Sequence, residues 1–118
     1  MAAEAALYKG RLSEAEESFT AQVRHCAVRI AQQGPGALGE LFDLTASRCL
    51  RFAATLTRDS HDAEDVVQAA LVRVALHPKA LAKASHAWAY LLRIVRNEAL
   101  KICQKRKNQP LELSFDQS

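Results

Sequence analysis

Glycine and proline are scarce in this 118-residue chain, with four and three residues. Little turn punctuation remains for a protein of many short strands, while abundant Ala and Leu point to helices. No apolar run approaches the ~18 residues of a membrane-spanning helix, and no apolar stretch with a cleavage-site pattern opens the chain. Neither membrane insertion nor a secretory leader is expected. The three cysteines, Cys26, Cys49 and Cys103, are far apart and form no CxxC pair, and no two histidines have metal-ligand spacing. Reduced, buried thiols in a cytoplasmic protein are expected, with no metal and no cofactor. A Gly-rich phosphate loop is missing. No serine or cysteine stands at nucleophile–base spacing from His61, His77 or His86. The crowded acids Asp62, Glu64 and Asp65 are explained by a helix start, where carboxylates meet the positive end of the dipole. An active site is not expected.

What is present is a charge pattern. Hydrophobic residues make up 49% and charged ones 25%, ordinary for a globular protein, and the length suits one domain. The net charge of +3 is unevenly placed. Between Arg93 and Lys107 six basic residues stand against Glu98 alone, and between Asp59 and Asp65 four acids stand with no base. Such segregation suits two different partners, although two solvated faces would give the same count.

Hydrophobic periodicity predicts an all-α protein, a compact bundle of about four helices with short connections. Ser13 and Glu16 form a capping box for a first helix over 13–32, with Phe19, Val23, Cys26, Ala27 and Ile30 apolar. Gln33-Gly34-Pro35-Gly36 breaks it. A second helix over 37–57 carries Leu38, Leu41, Phe42, Thr45, Cys49, Phe52 and Leu56 on one stripe. After a short polar connection, Ser60 or Asp62 is available to cap a third helix, which stops at His77-Pro78. A loop with Lys79 and Lys83 leads to Ser85, the expected cap of a fourth helix over 86–105.

Two of these helices have more chemistry than packing requires. At about 100° per residue, Ala63, Val66, Val67, Ala70, Leu71 and Val74 form the core side of the third helix. Opposite them lie Asp65, Gln68, Ala69, Val72 and Leu76, a mix that suits docking against another protein's helices. On the fourth helix Trp88, Leu91, Leu92, Val95, Ala99 and Ile102 face inward. The opposite stripe reads His86, Tyr90, Arg93, Asn97, Lys101 and Gln104, with Arg96 at its flank. Arg and Lys neutralise phosphates, Asn and Gln read base edges, and Tyr stacks on an unpaired base.

The same stripes carry a resemblance. Asp62-Ala63-Glu64-Asp65-Val66-Val67-Gln68 resembles the acidic helix of sigma-factor region two in the extracytoplasmic-function group. Tyr90-Leu91-Leu92-Arg93-Ile94-Val95-Arg96-Asn97 is similar to that family's aromatic-led helix, in the same order and at a similar spacing. The likeness spans about residues 38–107. It implies a non-enzymatic transcription initiation factor domain that binds core RNA polymerase through its clamp helices and melts the minus-ten promoter element. The polymerase contact would fall on Asp62, Asp65, Gln68 and Val72. The non-template single strand of promoter DNA would be held by Lys79, Lys83, Ser85 and His86 in the loop, and by Tyr90, Arg93, Arg96, Asn97 and Lys101 on the helix. The resemblance also admits an anti-sigma protein as a partner. The chain departs from the family pattern at Ala69 and Leu71, and has Tyr90 where the leading aromatic is commonly Trp.

The expected organisation is an N-terminal extension over 1–36, the sigma-like domain over 37–107, and a loose tail over 108–118. Because the family continues into a helix-turn-helix, the sequence is expected to be a fragment or a shortened variant. A different reading of the same residues is a helical adaptor whose basic helix binds an acidic protein.

Overall fold

The structure, a computed structural model, describes residues 14–108. Five α-helices follow one another: α1 (Glu14–Gln33), α2 (Leu38–Thr57), α3 (Ser60–Leu76), α4 (Pro78–Lys83) and α5 (Ala87–Asn108), with a 3-10 turn at Pro35–Ala37 between the first two. No strand occurs among the described residues. The Ser13 cap and the tail beyond Asn108 lie outside them.

The core is made by the predicted stripes meeting in one place. All five predicted α1 positions (Phe19, Val23, Cys26, Ala27 and Ile30) are buried, and they join Leu41, Thr45, Cys49 and Ala53 of α2. Ala63, Val66, Val67, Ala70 and Val74 of α3, Leu81 of α4, and Ala87, Leu91, Val95 and Ala99 of α5 complete the cluster, with Ala37 of the 3-10 turn. Among the described residues Thr45 is the one hydroxyl at this depth, and it is satisfied by donating to the Leu41 carbonyl at 2.6 Å. Burial pushes the Cys26 and Cys49 thiols above their ordinary value, because an apolar surround disfavours the thiolate. The Phe19 ring meets Trp88 edge-on at 4.9 Å, and the Arg48 guanidinium lies over the same ring at 3.9 Å. These contacts fasten α1 to both α2 and the start of α5.

Helix boundaries follow local chemistry. Gly34 has φ 89°, a region that favours glycine, and its N–H closes α1 on the Ile30 carbonyl at 2.8 Å. The cap of α3 is neither Ser60 nor Asp62 but Asp59, whose carboxylate accepts the Asp62 N–H at 2.9 Å. Asp59 adopts the extended backbone that a cap needs, one residue before the helix. That N–H bond is the main reason its carboxyl is held below the usual value.

The structure corrects four further expectations. The segment holding Lys79 and Lys83 is helical, because Pro78 sits where its missing N–H is no loss and its fixed φ favours a helix start. The short α4 is pinned by Leu81, only 1% exposed. Ser85 does not cap α5: the His86 carbonyl accepts the first bond of the helix, from the Tyr90 N–H, so the cap position is His86. Phe42 is 41% exposed rather than buried with its stripe. Leu71, Leu92, Ile102 and Trp88 are half-buried at the edges of the core rather than inside it.

Candidate functional site

Packing leaves two groups of side chains uncommitted. On α3, Asp65, Gln68 and Val72 are exposed, with Val72 at 56% and Leu76 one turn on at 65%. Their spacing keeps them on one side of the helix, opposite the buried Ala63, Val66 and Ala70. The exposed stripe thus combines a carboxylate, an amide and two aliphatic side chains.

Asp62 does not belong with them. Only 5% of the residue is exposed, and its Oδ1 accepts from Arg106 Nη2 at 2.6 Å. The carboxylate points back across the bundle to the end of α5 and ties the start of one helix to the end of another. Its sequence neighbours hid this, since wheel position alone cannot reveal a partner 44 residues away.

The second group lies on α4, the bend after it and α5. Lys79, Lys83, Ser85 and His86 are exposed, as are Arg93, Arg96, Asn97 and Lys101. Tyr90 is half-buried, with one side packed against the core. It forms a wall shared by two open clefts. One, of about 390 Å³, is bordered by Lys83, Ser85, His86 and Arg93. The other, of about 360 Å³, has an apolar floor including Val74, Leu81 and Ile94, and a rim including Asn97 and Lys101. Leu81 holds α4 in place and so shapes the second cleft. An aromatic wall beside open space, flanked by cations and an amide, can stack on a flat unsaturated ring and steady an attached anion.

Charge pairing divides the cations. Lys101 Nζ meets Glu98 Oε2 at 2.8 Å, and Arg73 Nε approaches the same oxygen at 4.0 Å. Glu98 is largely covered, with 13% of its side chain exposed, so Lys101 is not a free cation as the stripe implied. Arg93 and Arg96 have no acidic partner among the described residues. In the sequence Glu98 is only the lone acid in a basic run. Its i, i+3 spacing to Lys101 was the available signal for the pair, whereas Arg73, on another helix, gave none.

Among the described residues no cluster of His, Cys, Asp or Glu could hold a metal ion, and no helix is long and apolar enough to cross a membrane. No curated protein and no solved structure matches the chain. A family model does: the one described as Sigma-70 region 2 matches residues 41–109, from the first buried leucine of α2 to just past the end of α5. Covering more than half of the chain, that match places both exposed groups inside one known domain, and the protein belongs to the sigma-70 region 2 family.

Proposed function

We propose that this chain acts as a transcription initiation domain of the extracytoplasmic-function type, working in the cytoplasm with core RNA polymerase. Asp65, Gln68 and Val72 on α3 dock on the polymerase clamp helices. The bend after α4 and the outer side of α5 then hold the opened non-template strand of the minus-ten element. Tyr90 stacks on an unpaired base, Asn97 contacts a base edge, and Lys79, Lys83, Arg93 and Arg96 meet phosphates, with Ser85 and His86 lining the entry. Unstacking a base costs a few kcal/mol, and stacking at about 1–3 kcal/mol per base offsets it.

The observation that carries this reading is the separation of two chemically different exposed groups on neighbouring helices of a sigma-70 region 2 domain. Two changes follow from the geometry. Asp62 is withdrawn from the polymerase contact, because its carboxylate is committed to Arg106. Lys101 enters only as a cation already balanced by Glu98.

A pull-down with core RNA polymerase tests the docking half. The wild-type chain is retained and Asp65→Arg is not, while both give the same circular dichroism spectrum. Equal retention of the two proteins, or retention of neither, would overturn the assignment.

A further inference from the structure

Tyr90 is the common wall of two open clefts, and only one of them contains an acid. Among the described residues that line the cleft at Lys83, Ser85, His86 and Arg93, none is acidic. The cleft over Val74, Leu81 and Ile94 has Glu98 in its lining. A carboxylate repels a phosphate backbone, so a surface built for phosphates alone has no use for it. Stability does not account for it either. Arg73 Nε is 4.0 Å from Glu98 Oε2, beyond hydrogen-bond range, and the Arg73 and Lys101 side chains are 48% and 57% exposed. Ion pairs whose cations are this wet contribute little.

Tyr90, Ile94 and Glu98 follow one another at four-residue intervals and so lie along one side of α5. Ile94 is about one turn, roughly 6 Å along the axis, from each. A flat ring resting on Ile94 therefore has the Tyr90 ring at one end and the Glu98 carboxylate at the other. Leu81 and Val74, each 1% exposed, close the floor from α4 and α3. At about 360 Å³ the cleft stands at the small end of the ~300–1,000 Å³ range of ligand sites, which suits one base rather than a larger ligand. Only 13% of the Glu98 side chain is exposed, so it offers the cleft an edge. Both cations approach Oε2, which leaves Oε1 to accept from a ligand.

We propose that this cleft selects an unpaired base with an exocyclic amino group, and that Glu98 makes the selection by accepting a hydrogen bond from that group. The inference rests on the DNA reading of α5 and adds to it the chemistry of the base. An ionised carboxylate can only accept. Cytosine N4 and adenine N6 present an amino donor, and a glutamate accepting from cytosine N4 is a recurrent base contact. Next to the amino group these two bases have a ring nitrogen that accepts, and Asn97 and Lys101 at the rim supply donors for it. Uracil and thymine have a carbonyl oxygen in place of the amino group. That oxygen would face the carboxylate with like charge and no proton between them.

The test compares binding of the 118-residue chain to labelled oligo(dC) and oligo(dU) of equal length, by fluorescence anisotropy at mildly alkaline pH. The two bases differ only in the amino group and the adjoining ring nitrogen, so stacking and phosphate contacts are matched. The wild type should bind oligo(dC) roughly tenfold more tightly. Glu98→Gln should flatten that ratio and at the same time raise the affinity for oligo(dU), by freeing Lys101 and Arg73 for phosphates. Each freed cation adds up to about 0.7 to the slope of log affinity against log salt. Glu64→Gln, the same change of charge at an exposed position on α3, should leave ratio and slope unchanged. A strand of N4,N4-dimethylcytosine, which has no amino proton, should bind the wild type as weakly as oligo(dU), and this arm needs no variant that folds. Equal wild-type affinity for oligo(dC) and oligo(dU) would overturn the inference, as would a preference that survives Glu98→Gln or dimethylation. An equal loss of both strands in Glu98→Gln would overturn it too, since that is the mark of a brace between helices. A wild-type chain that binds neither strand would overturn the inference and the DNA half of the proposed function together. Binding without preference would leave that proposed function standing.

Discussion

Replacing Arg106 by alanine isolates the ion pair that removes Asp62 from the exposed surface. The Asp62 side chain is 7% exposed and that of Arg106 is 60% exposed, with 2.6 Å between Oδ1 and Nη2. Pairs exposed at both ends contribute about 0.2–1 kcal/mol. Stripping the partner from a fully buried pair costs about 3–5 kcal/mol, because a charge is left dry and alone. Here one end is dry and the other wet, and water can enter the space Arg106 vacates. Arg106→Ala should therefore cost about 1–2 kcal/mol, between those limits. For a domain of this size, each kcal/mol lowers the melting midpoint by about 4–8 °C. Asp62→Ala removes the buried charge as well, so the double variant should be little worse than either single one, with a coupling of about 1 kcal/mol. Urea unfolding of the wild type, both single variants and the double variant measures that coupling. A coupling within about 0.3 kcal/mol of zero, which is the range expected of independent sites, would refute the staple. Loss of core-polymerase binding by Asp62→Asn at unchanged stability would return Asp62 to the docking surface.

Two further outcomes test how the site is held. Leu81→Ala should destabilise by about 2–4 kcal/mol in chemical denaturation, since one fully buried leucine anchors the six-residue α4; an unchanged midpoint would show that α4 is held by something else. The Asp59 carboxyl is held below the ordinary 3.8, mainly by the Asp62 N–H, so its stabilising effect is present above that value and is lost as pH falls through the lower folded one. Asp59→Ser should flatten that acid-side fall in melting temperature, and an identical acid profile in the two proteins would contradict the cap.

Periodicity made the helices legible because each buried stripe repeats within one helix. Phe19, Val23, Cys26, Ala27 and Ile30 could be read from spacing alone, and all five are buried. What spacing cannot show is a partner on another helix. Asp62 has the same helical address as an exposed acid until Arg106 comes beside it, and Glu98 looks like a lone acid until Arg73 does. Phe42 shares its wheel angle with core residues and is nevertheless exposed, because an angle does not say where the neighbouring helices end. In the sequence Pro78 marks a stop, although a proline that ends one helix can begin the next. The exposed positions of Asp65, Gln68, Val72, Arg93 and Asn97 were legible, since they are what remains after each stripe is buried.

The account depends on the two exposed groups serving two different partners. The direct measurement is a crossed binding experiment with core polymerase and with single-stranded minus-ten DNA. Asp65→Arg should lose the polymerase and keep the DNA, while the double variant Arg93→Gln, Asn97→Ala should keep the polymerase and lose the DNA. If either variant lost both partners while still folded, or neither lost any, the division of labour between α3 and α5 would be contradicted.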